Sequence, residues 1–69
     1  MDMYNYIKEI TNGMEFPLVG NNSDKETVLV CDGYSDGTHY YKTITAQSNG
    51  WSRSNVWYED GTSEEWYER

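Results

Sequence analysis

A single cysteine, Cys31, in a chain of 69 residues strongly limits what this sequence can fold into. A domain this small buries only about 60% of the surface that its unfolded chain exposes, so its stability is marginal. Small secreted proteins compensate with disulfides, which one cysteine cannot form within the chain. The sequence therefore predicts one domain over residues 1–69, with a thin core, in the reducing cytoplasm.

No segment of the sequence predicts export or membrane insertion. Residues 1–4 lack the basic and apolar regions of a signal peptide. The longest apolar run, residues 28–31, is far shorter than the roughly 20 residues of a membrane-spanning helix. We therefore expect no membrane contact.

The chain is strongly acidic, with five basic residues against twelve acidic ones and a net charge of −7. This charge repels nucleic acid, so we expect no direct nucleic-acid binding. The acidic residues either keep the protein soluble or form a surface that competes with a phosphate backbone for a basic protein groove. Aromatic residues make up 16% of the chain, which is typical of protein interfaces and unlike disordered chains.

Residues 2–12 predict a short amphipathic helix, because four large apolar side chains follow the spacing of one buried face. Asp2 is the predicted N-cap, and Gly13 the predicted stop. The predicted buried face consists of Met3, Tyr6, Ile7 and Ile10.

Several runs after the helix have strand character. The run at 14–19 contains Pro17, which favours a sheet edge, whereas the apolar run at 27–31 favours a central, well-buried position. This order predicts an α+β fold, with the helix packed on an antiparallel sheet of about four strands, a meander ending in a C-terminal hairpin. The other sheet face is expected to be wet and to carry the surplus aromatics and carboxylates. The remaining predicted strands are 38–45, 55–59 and 62–68, and the predicted loops are 20–24, 32–37 and 47–50.

The last strand has an alternative. Asp60-Gly61 between aromatic and β-branched residues is a hairpin signal. Thr62 and Glu65 also fit a capping box, which would make residues 62–69 a helical turn. We favour the strand because Trp66 and Tyr67 suit it.

The sequence offers little for catalysis or metal binding. A pair between Cys31 and His39 across a hairpin has no third group to orient it, so we expect a protein that is not an enzyme. A calcium loop over residues 32–43 would carry Tyr34 where Asp or Asn is required and Thr43 where Glu is required. We expect no metal and no cofactor.

The C-terminal hairpin, W-Y-E-D-G-T-S-E-E-W-Y-E from residue 57 to residue 68, interleaves carboxylates with aromatics. Side chains on one face of a strand are about 6.5–7 Å apart, which is close to the separation of successive phosphates. A carboxylate row can therefore imitate a nucleic-acid backbone, while the aromatics imitate bases or anchor the contact. The alternative is a solvated edge hairpin whose charges block aggregation. The candidate contact residues are Glu59, Asp60, Glu64, Glu65, Glu68, Trp57, Trp66 and Tyr67.

In size, charge and element order the chain resembles small acidic inhibitors encoded by phages and mobile elements, such as anti-CRISPR proteins and the uracil-DNA glycosylase inhibitor. The resemblance covers the N-terminal helix M-Y-N-Y-I-K-E-I and the strand region E-T-V-L-V-C-D-G-Y-S-D. The sequence departs from the glycosylase inhibitor in lacking a second helix before that strand. The resemblance implies an inhibitor, in the cytoplasm of a host cell, that blocks a nucleic-acid-binding protein such as a CRISPR effector or a DNA-repair enzyme.

Two other classes remain open. A structural or assembly protein of a phage or bacterium would pair its aromatic sheet face with itself or a neighbour. A carbohydrate- or small-ligand-binding module would use Trp51, Trp57 and Trp66 as platforms. The sequence is compatible with a monomer or a homodimer.

Overall fold

The protein forms one short helix followed by five strands. The structure, a computed structural model, describes residues 2–12, 14–21 and 27–69. The strands form one antiparallel sheet in the order β1-β2-β3-β4-β5. The predicted α+β meander is therefore confirmed, with five strands rather than about four. The elements are α1 (Met3–Ile10), β1 (Leu18–Asn21), β2 (Thr27–Ser35), β3 (Thr38–Ala46), β4 (Ser52–Tyr58) and β5 (Ser63–Glu68).

Helix α1 begins and ends with side-chain caps. The Asp2 carboxylate accepts a hydrogen bond of 2.8 Å from the backbone N–H of Asn5, which confirms Asp2 as the N-cap. At the other end, the Thr11 backbone N–H and hydroxyl both donate to the Ile7 carbonyl. The helix is shorter than predicted because Thr11 closes it after Ile10, and Gly13 lies outside the described residues.

The buried side of α1 differs from the predicted one. Tyr4, Ile7 and Thr11 are buried, whereas Met3, Tyr6 and Ile10 are 40%, 46% and 52% exposed. The prediction was therefore wrong for three of its four residues. Both sets satisfy the helical spacing, but the ring of Tyr4 packs 5.0 Å from that of Tyr41 on β3, which turns its own side of the helix toward the sheet.

The edge and central strands depart in detail from the sequence prediction. β1 lies at a sheet edge as predicted, but it begins after Pro17 and includes Gly20, and most of the predicted 20–24 loop lies outside the described residues. β2 has neighbours on both sides, yet its apolar residues are only half-buried, because α1 packs mainly over β3 and β4. β4 begins at Ser52, three residues earlier than predicted.

The loop predicted at 32–37 is mostly strand. β2 continues to Ser35, and only Asp36 and Gly37 form the turn to β3, with φ values of 50° and 80°. Two consecutive residues of positive φ are typical of a type I′ turn, for which Asp-Gly is a preferred pair. A second loop, residues 59–62, joins β4 to β5, and β5 confirms a strand rather than a helical turn at the C-terminus.

The strand register assigns each side chain to one of two sheet faces. On the helix face, Tyr41 packs with Tyr4 and Ile7 to form the core, against which Phe16, Val30 and Trp57 are partly buried. The other face, here called the open face, has no helix over it among the described residues. It carries the expected aromatics and carboxylates together with apolar side chains, but it is not wet throughout as predicted, because Ser54 and Val56 at its centre are buried. Its main residues are Leu29, Cys31, Tyr40, Lys42, Ile44, Val56, Tyr58, Glu64, Trp66 and Glu68.

Within the described residues, no helix has the length and apolar character needed to cross a membrane.

Candidate functional site

The β4–β5 hairpin places the predicted contact residues at one edge of the sheet, since β5 pairs with β4 alone. The residues do not form a single row. Glu64 and Glu65 are neighbours in a strand, so they lie on opposite faces. The open face carries Glu64, Trp66 and Glu68, the helix face carries Trp57, Glu65 and Tyr67, and the loop carries Glu59 and Asp60.

On the open face, both hairpin carboxylates accept hydrogen bonds from aromatic side chains. The Tyr58 hydroxyl donates to Glu64 over 3.4 Å, and the Trp66 indole N–H donates to Glu68 over 2.9 Å. Desolvation and the nearby Glu64 carboxylate raise the pKa of Tyr58, so its hydroxyl keeps its proton. The ammonium group of Lys42 lies 5.2 Å from the centre of the Trp66 ring. These contacts hold two carboxylates on either side of one indole.

On the helix face, one carboxylate is held by a buried amide. The Asn55 side chain is 6% exposed and donates to Glu65 over 2.9 Å. Trp57 is half-buried against the core, and its indole N–H lies 3.4 Å from the Thr43 hydroxyl. Tyr67, in contrast, is 49% exposed. Trp57 therefore mainly stabilises the fold, whereas Glu65 and Tyr67 are accessible to a partner.

The loop carboxylates are held by groups of the backbone and by a hydroxyl. Asp60 accepts from the backbone N–H and the hydroxyl of Thr62, over 2.9 Å and 2.6 Å. The hydroxyl bond, followed by the backbone bond, lowers the pKa of Asp60 below its ordinary value. Glu59 accepts from the backbone N–H of His39 over 3.2 Å.

All five hairpin carboxylates are exposed, and each accepts a hydrogen bond from a neutral donor. In the described part of the chain, the one salt-bridge-distance contact between a carboxylate and a basic side chain is that of Asp32 with Nε2 of His39, at 2.8 Å, and neither residue belongs to the hairpin. Two basic groups near the hairpin, Lys42 and Arg69, lie over tryptophan rings instead. The hairpin carboxylates thus form no salt bridge with a lysine or arginine of the described residues, although Arg53 lies in β4 on the same face as Glu65.

A second polar cluster, which the sequence did not predict, surrounds the histidine. The Tyr4 hydroxyl lies 3.0 Å from Nδ1 of His39, and Asp32 lies 2.8 Å from its Nε2. Burial, followed by the negative charge of Glu59, raises the pKa of Tyr4, so its hydroxyl keeps its proton. Both ring nitrogens are thereby paired, and the histidine ties α1 to β2 and β3. The sequence feature that could have indicated this cluster is the Asp36-Gly37 turn, which sets the register between β2 and β3.

The pairing of Cys31 with His39, which the sequence left open, does not occur. The two residues lie on opposite faces, and the Cys31 thiol is 3.8 Å from the Lys42 carbonyl oxygen. Groups of three or more residues that would suit a metal ion are not found among residues 2–12, 14–21 and 27–69.

The three tryptophans do not form a common platform. Trp57 and Trp66 lie on opposite faces, and Trp51 lies in the loop before β4. A flat surface for stacking a sugar across all three residues is therefore not formed.

Together, the fold and the hairpin define a small α+β protein with an acidic, aromatic sheet edge. Comparisons with protein-family models, with curated proteins and with solved structures find no match.

Proposed function

We propose that this protein is a non-enzymatic inhibitor of the type encoded by phages and mobile elements, acting in the cytoplasm of a host cell. Its β4–β5 hairpin binds a nucleic-acid-binding protein and blocks the groove that normally holds phosphates. The partner belongs to the class of CRISPR effectors or DNA-repair enzymes. Direct binding to nucleic acid is not part of this function, because the net charge of −7 opposes it.

The observation that carries the proposal is the set of five exposed carboxylates held by neutral donors. A carboxylate fixed by a neutral donor keeps its full charge and loses less conformational freedom on binding. Arginine and lysine side chains that hold phosphates form short, strong bonds with such carboxylates. A complementary charge also accelerates association with a basic groove.

The alternation of side chains along β5 determines how the hairpin can imitate a nucleic-acid backbone. Glu64 and Glu68 are four residues apart on the open face, which corresponds to about 13 Å, with Trp66 between them. This arrangement offers two charges separated by one aromatic ring rather than a charge at every phosphate step. Glu65 extends the acidic surface around the edge of the sheet to the helix face.

The test compares two double variants with the same change in net charge. Glu64→Gln/Glu65→Gln removes two hairpin charges but retains oxygen atoms that accept from Tyr58 and Asn55. The control, Glu9→Gln/Glu15→Gln, removes two exposed charges outside the hairpin. Tagged forms of both and of the unchanged protein are used to capture partners from bacterial lysate, and bound proteins are identified by mass spectrometry.

We expect the hairpin variant to lose about 3 kcal/mol of binding free energy, on the order of a hundredfold in affinity. The control should bind like the unchanged protein, and circular dichroism should show all three folded. Equal binding by the two double variants would remove the basis of the proposal.

An assembly protein of a phage or bacterium is the second candidate. The observation that favours it is the apolar side of α1, where Met3, Tyr6 and Ile10 are exposed. This role predicts homodimers or larger oligomers that persist at high salt, and light scattering at two salt concentrations distinguishes it from the inhibitor.

A further inference from the structure

A cavity of about 200 Å³ lies between the start of α1 and the β4–β5 hairpin. Met3 and Trp57 provide an apolar lining, while Asp2, Thr62 and Ser63 add polar groups. Pockets that bind cofactors and drug-sized ligands have volumes of roughly 300–1,000 Å³, so this cavity suits a single side chain. Neither Asp2 nor Met3 belongs to the hairpin surface described above.

The charge at the cavity favours a cation. Asp2 is the single charged residue in the described lining. Its carboxylate accepts bonds of 2.8 Å and 3.2 Å from the Asn5 backbone N–H and side-chain amide, which fix its position and leave further lone pairs free.

The start of a helix carries about half a positive charge, which would attract an anion in the absence of a cap. Here the full negative charge of Asp2 exceeds that half charge, and its contact with Asn5 occupies a backbone N–H group that an anion would use. The neighbouring loop adds Glu59 and Asp60, both exposed. An anionic occupant is therefore disfavoured.

We propose that this cavity binds one lysine or arginine side chain of the partner protein. The aliphatic stem packs between Met3 and Trp57, and the charged end reaches the Asp2 carboxylate. The identity of the partner rests on the proposed function, whereas the chemistry of the cavity does not. The inference adds a single-residue anchor point to the acidic hairpin surface.

The test uses small probes and the isolated protein. Nα-acetyl-lysine amide and Nα-acetyl-arginine amide are titrated to about 50 mM while the indole N–H signal of Trp57 is followed by NMR, since millimolar affinity is typical of so small a contact. Nα-acetyl-norleucine amide, which lacks the charge of lysine, is the matched neutral probe. A Trp57→Phe variant assigns the signal.

Two charge-neutralising variants complete the design. Asp2→Asn removes the charge but preserves the cap, because asparagine is as good an N-cap as aspartate. Glu9→Gln removes one charge elsewhere on the same helix. We expect saturable shifts of the Trp57 signal with at least one cationic probe, and Asp2→Asn to weaken that binding by about five- to tenfold, as loss of a charge-assisted hydrogen bond predicts. Glu9→Gln should bind like the unchanged protein.

Three results would each overturn the inference: no saturable shift with either cationic probe, an equal response to the norleucine probe, or equal weakening by Asp2→Asn and Glu9→Gln. Its failure is distinguishable from that of the proposed function. If the probes fail but the hairpin variant still loses its captured partner, only the cavity assignment falls. If the probes bind but no nucleic-acid-binding protein is captured, the cavity assignment stands without the inhibitor role.

Discussion

Replacing Ile7 by alanine tests the side of α1 that packs on the sheet. Ile7 is 3% exposed and lies in the core with Tyr4 and Tyr41. The substitution removes three carbons, at about 0.8 kcal/mol each, and leaves a cavity that adds to the loss. The better helix propensity of alanine returns a few tenths of a kcal/mol. We therefore expect the free energy of unfolding to fall by about 2–3 kcal/mol.

The matched control is the same substitution at Ile10, one turn further along the helix. Ile10 is 52% exposed, so about half as much apolar surface is lost and no enclosed cavity forms. With the same gain in helix propensity, the expected loss is under about 1 kcal/mol.

Urea denaturation followed by circular dichroism measures both effects. For a chain this small, the free energy of unfolding falls by about 1 kcal/mol per molar urea, so Ile7→Ala should lower the midpoint by about 2 M. A chain of this length has a free energy of unfolding of about 3–10 kcal/mol, so Ile7→Ala could leave the protein unfolded in water. Ile7→Val, with an expected loss of about 0.5–1.5 kcal/mol, is the variant to measure in that case. Equal midpoint shifts for Ile7→Ala and Ile10→Ala would refute the observed orientation of the helix.

Three further predictions concern the sheet and its titrating groups. A Cβ on Gly33 would lie 2.6 Å from the Tyr40 hydroxyl oxygen. Gly33→Ala should therefore lower the free energy of unfolding by about 1 kcal/mol, as measured by thermal melts. In a Tyr40→Leu background, the same substitution should lower it by almost nothing. Thr62→Ala should raise the pKa of Asp60 toward its ordinary value of 3.8, as measured in a carbon NMR titration. Because the pKa of Asp60 is lowered in the folded state, the stabilisation from Asp60 is present above pH 3.8 and is lost as the pH falls below that value. Because burial raises the pKa of Tyr4 above 10.0, its stabilisation is complete below pH 10.0 and is lost as the pH rises through the folded-state pKa, so Tyr4→Phe should flatten the alkaline part of the unfolding curve.

Local signals in the sequence were sufficient for the element order. The cap at Asp2 depends on residues three positions apart, and the Asp60-Gly61 pair correctly indicates a connection between two strands. The buried side of α1 was not determined in this way, because Tyr4 and Ile7 repeat with the same period as Met3 and Ile10. The choice depends on Tyr41, which lies 37 residues away from Tyr4 in the chain.

The His39 cluster depends on the register between β2 and β3, and two similar Asp-Gly pairs in the sequence leave that register undecided. The sequence contains Asp32-Gly33 and Asp36-Gly37, and either pair can form a tight turn. The structure uses the second pair, which places Tyr34 opposite His39 and brings Asp32 to its ring. The first glycine instead lies beneath the Tyr40 ring, where a side chain has no room.

The division of the hairpin carboxylates between two faces follows from strand alternation alone. Once residues 63–68 form a strand, Glu64 and Glu65 must lie on opposite sides. The donors to Asp60 and Glu68 lie two residues away in the chain, whereas pairs such as Asn55 with Glu65 lie across two strands and depend on the register.

Competition by DNA tests whether the hairpin occupies the basic groove of a nucleic-acid-binding protein. The tagged protein is loaded with partners from bacterial lysate at low salt, and the resin is divided among washes with duplex or single-stranded DNA, washes at high salt and washes with the low-salt buffer alone. We expect DNA and high salt each to release a nucleic-acid-binding protein, because the hairpin carboxylates and phosphates bind the same basic groove. Partners that stay bound in excess DNA and at high salt would contradict this expectation.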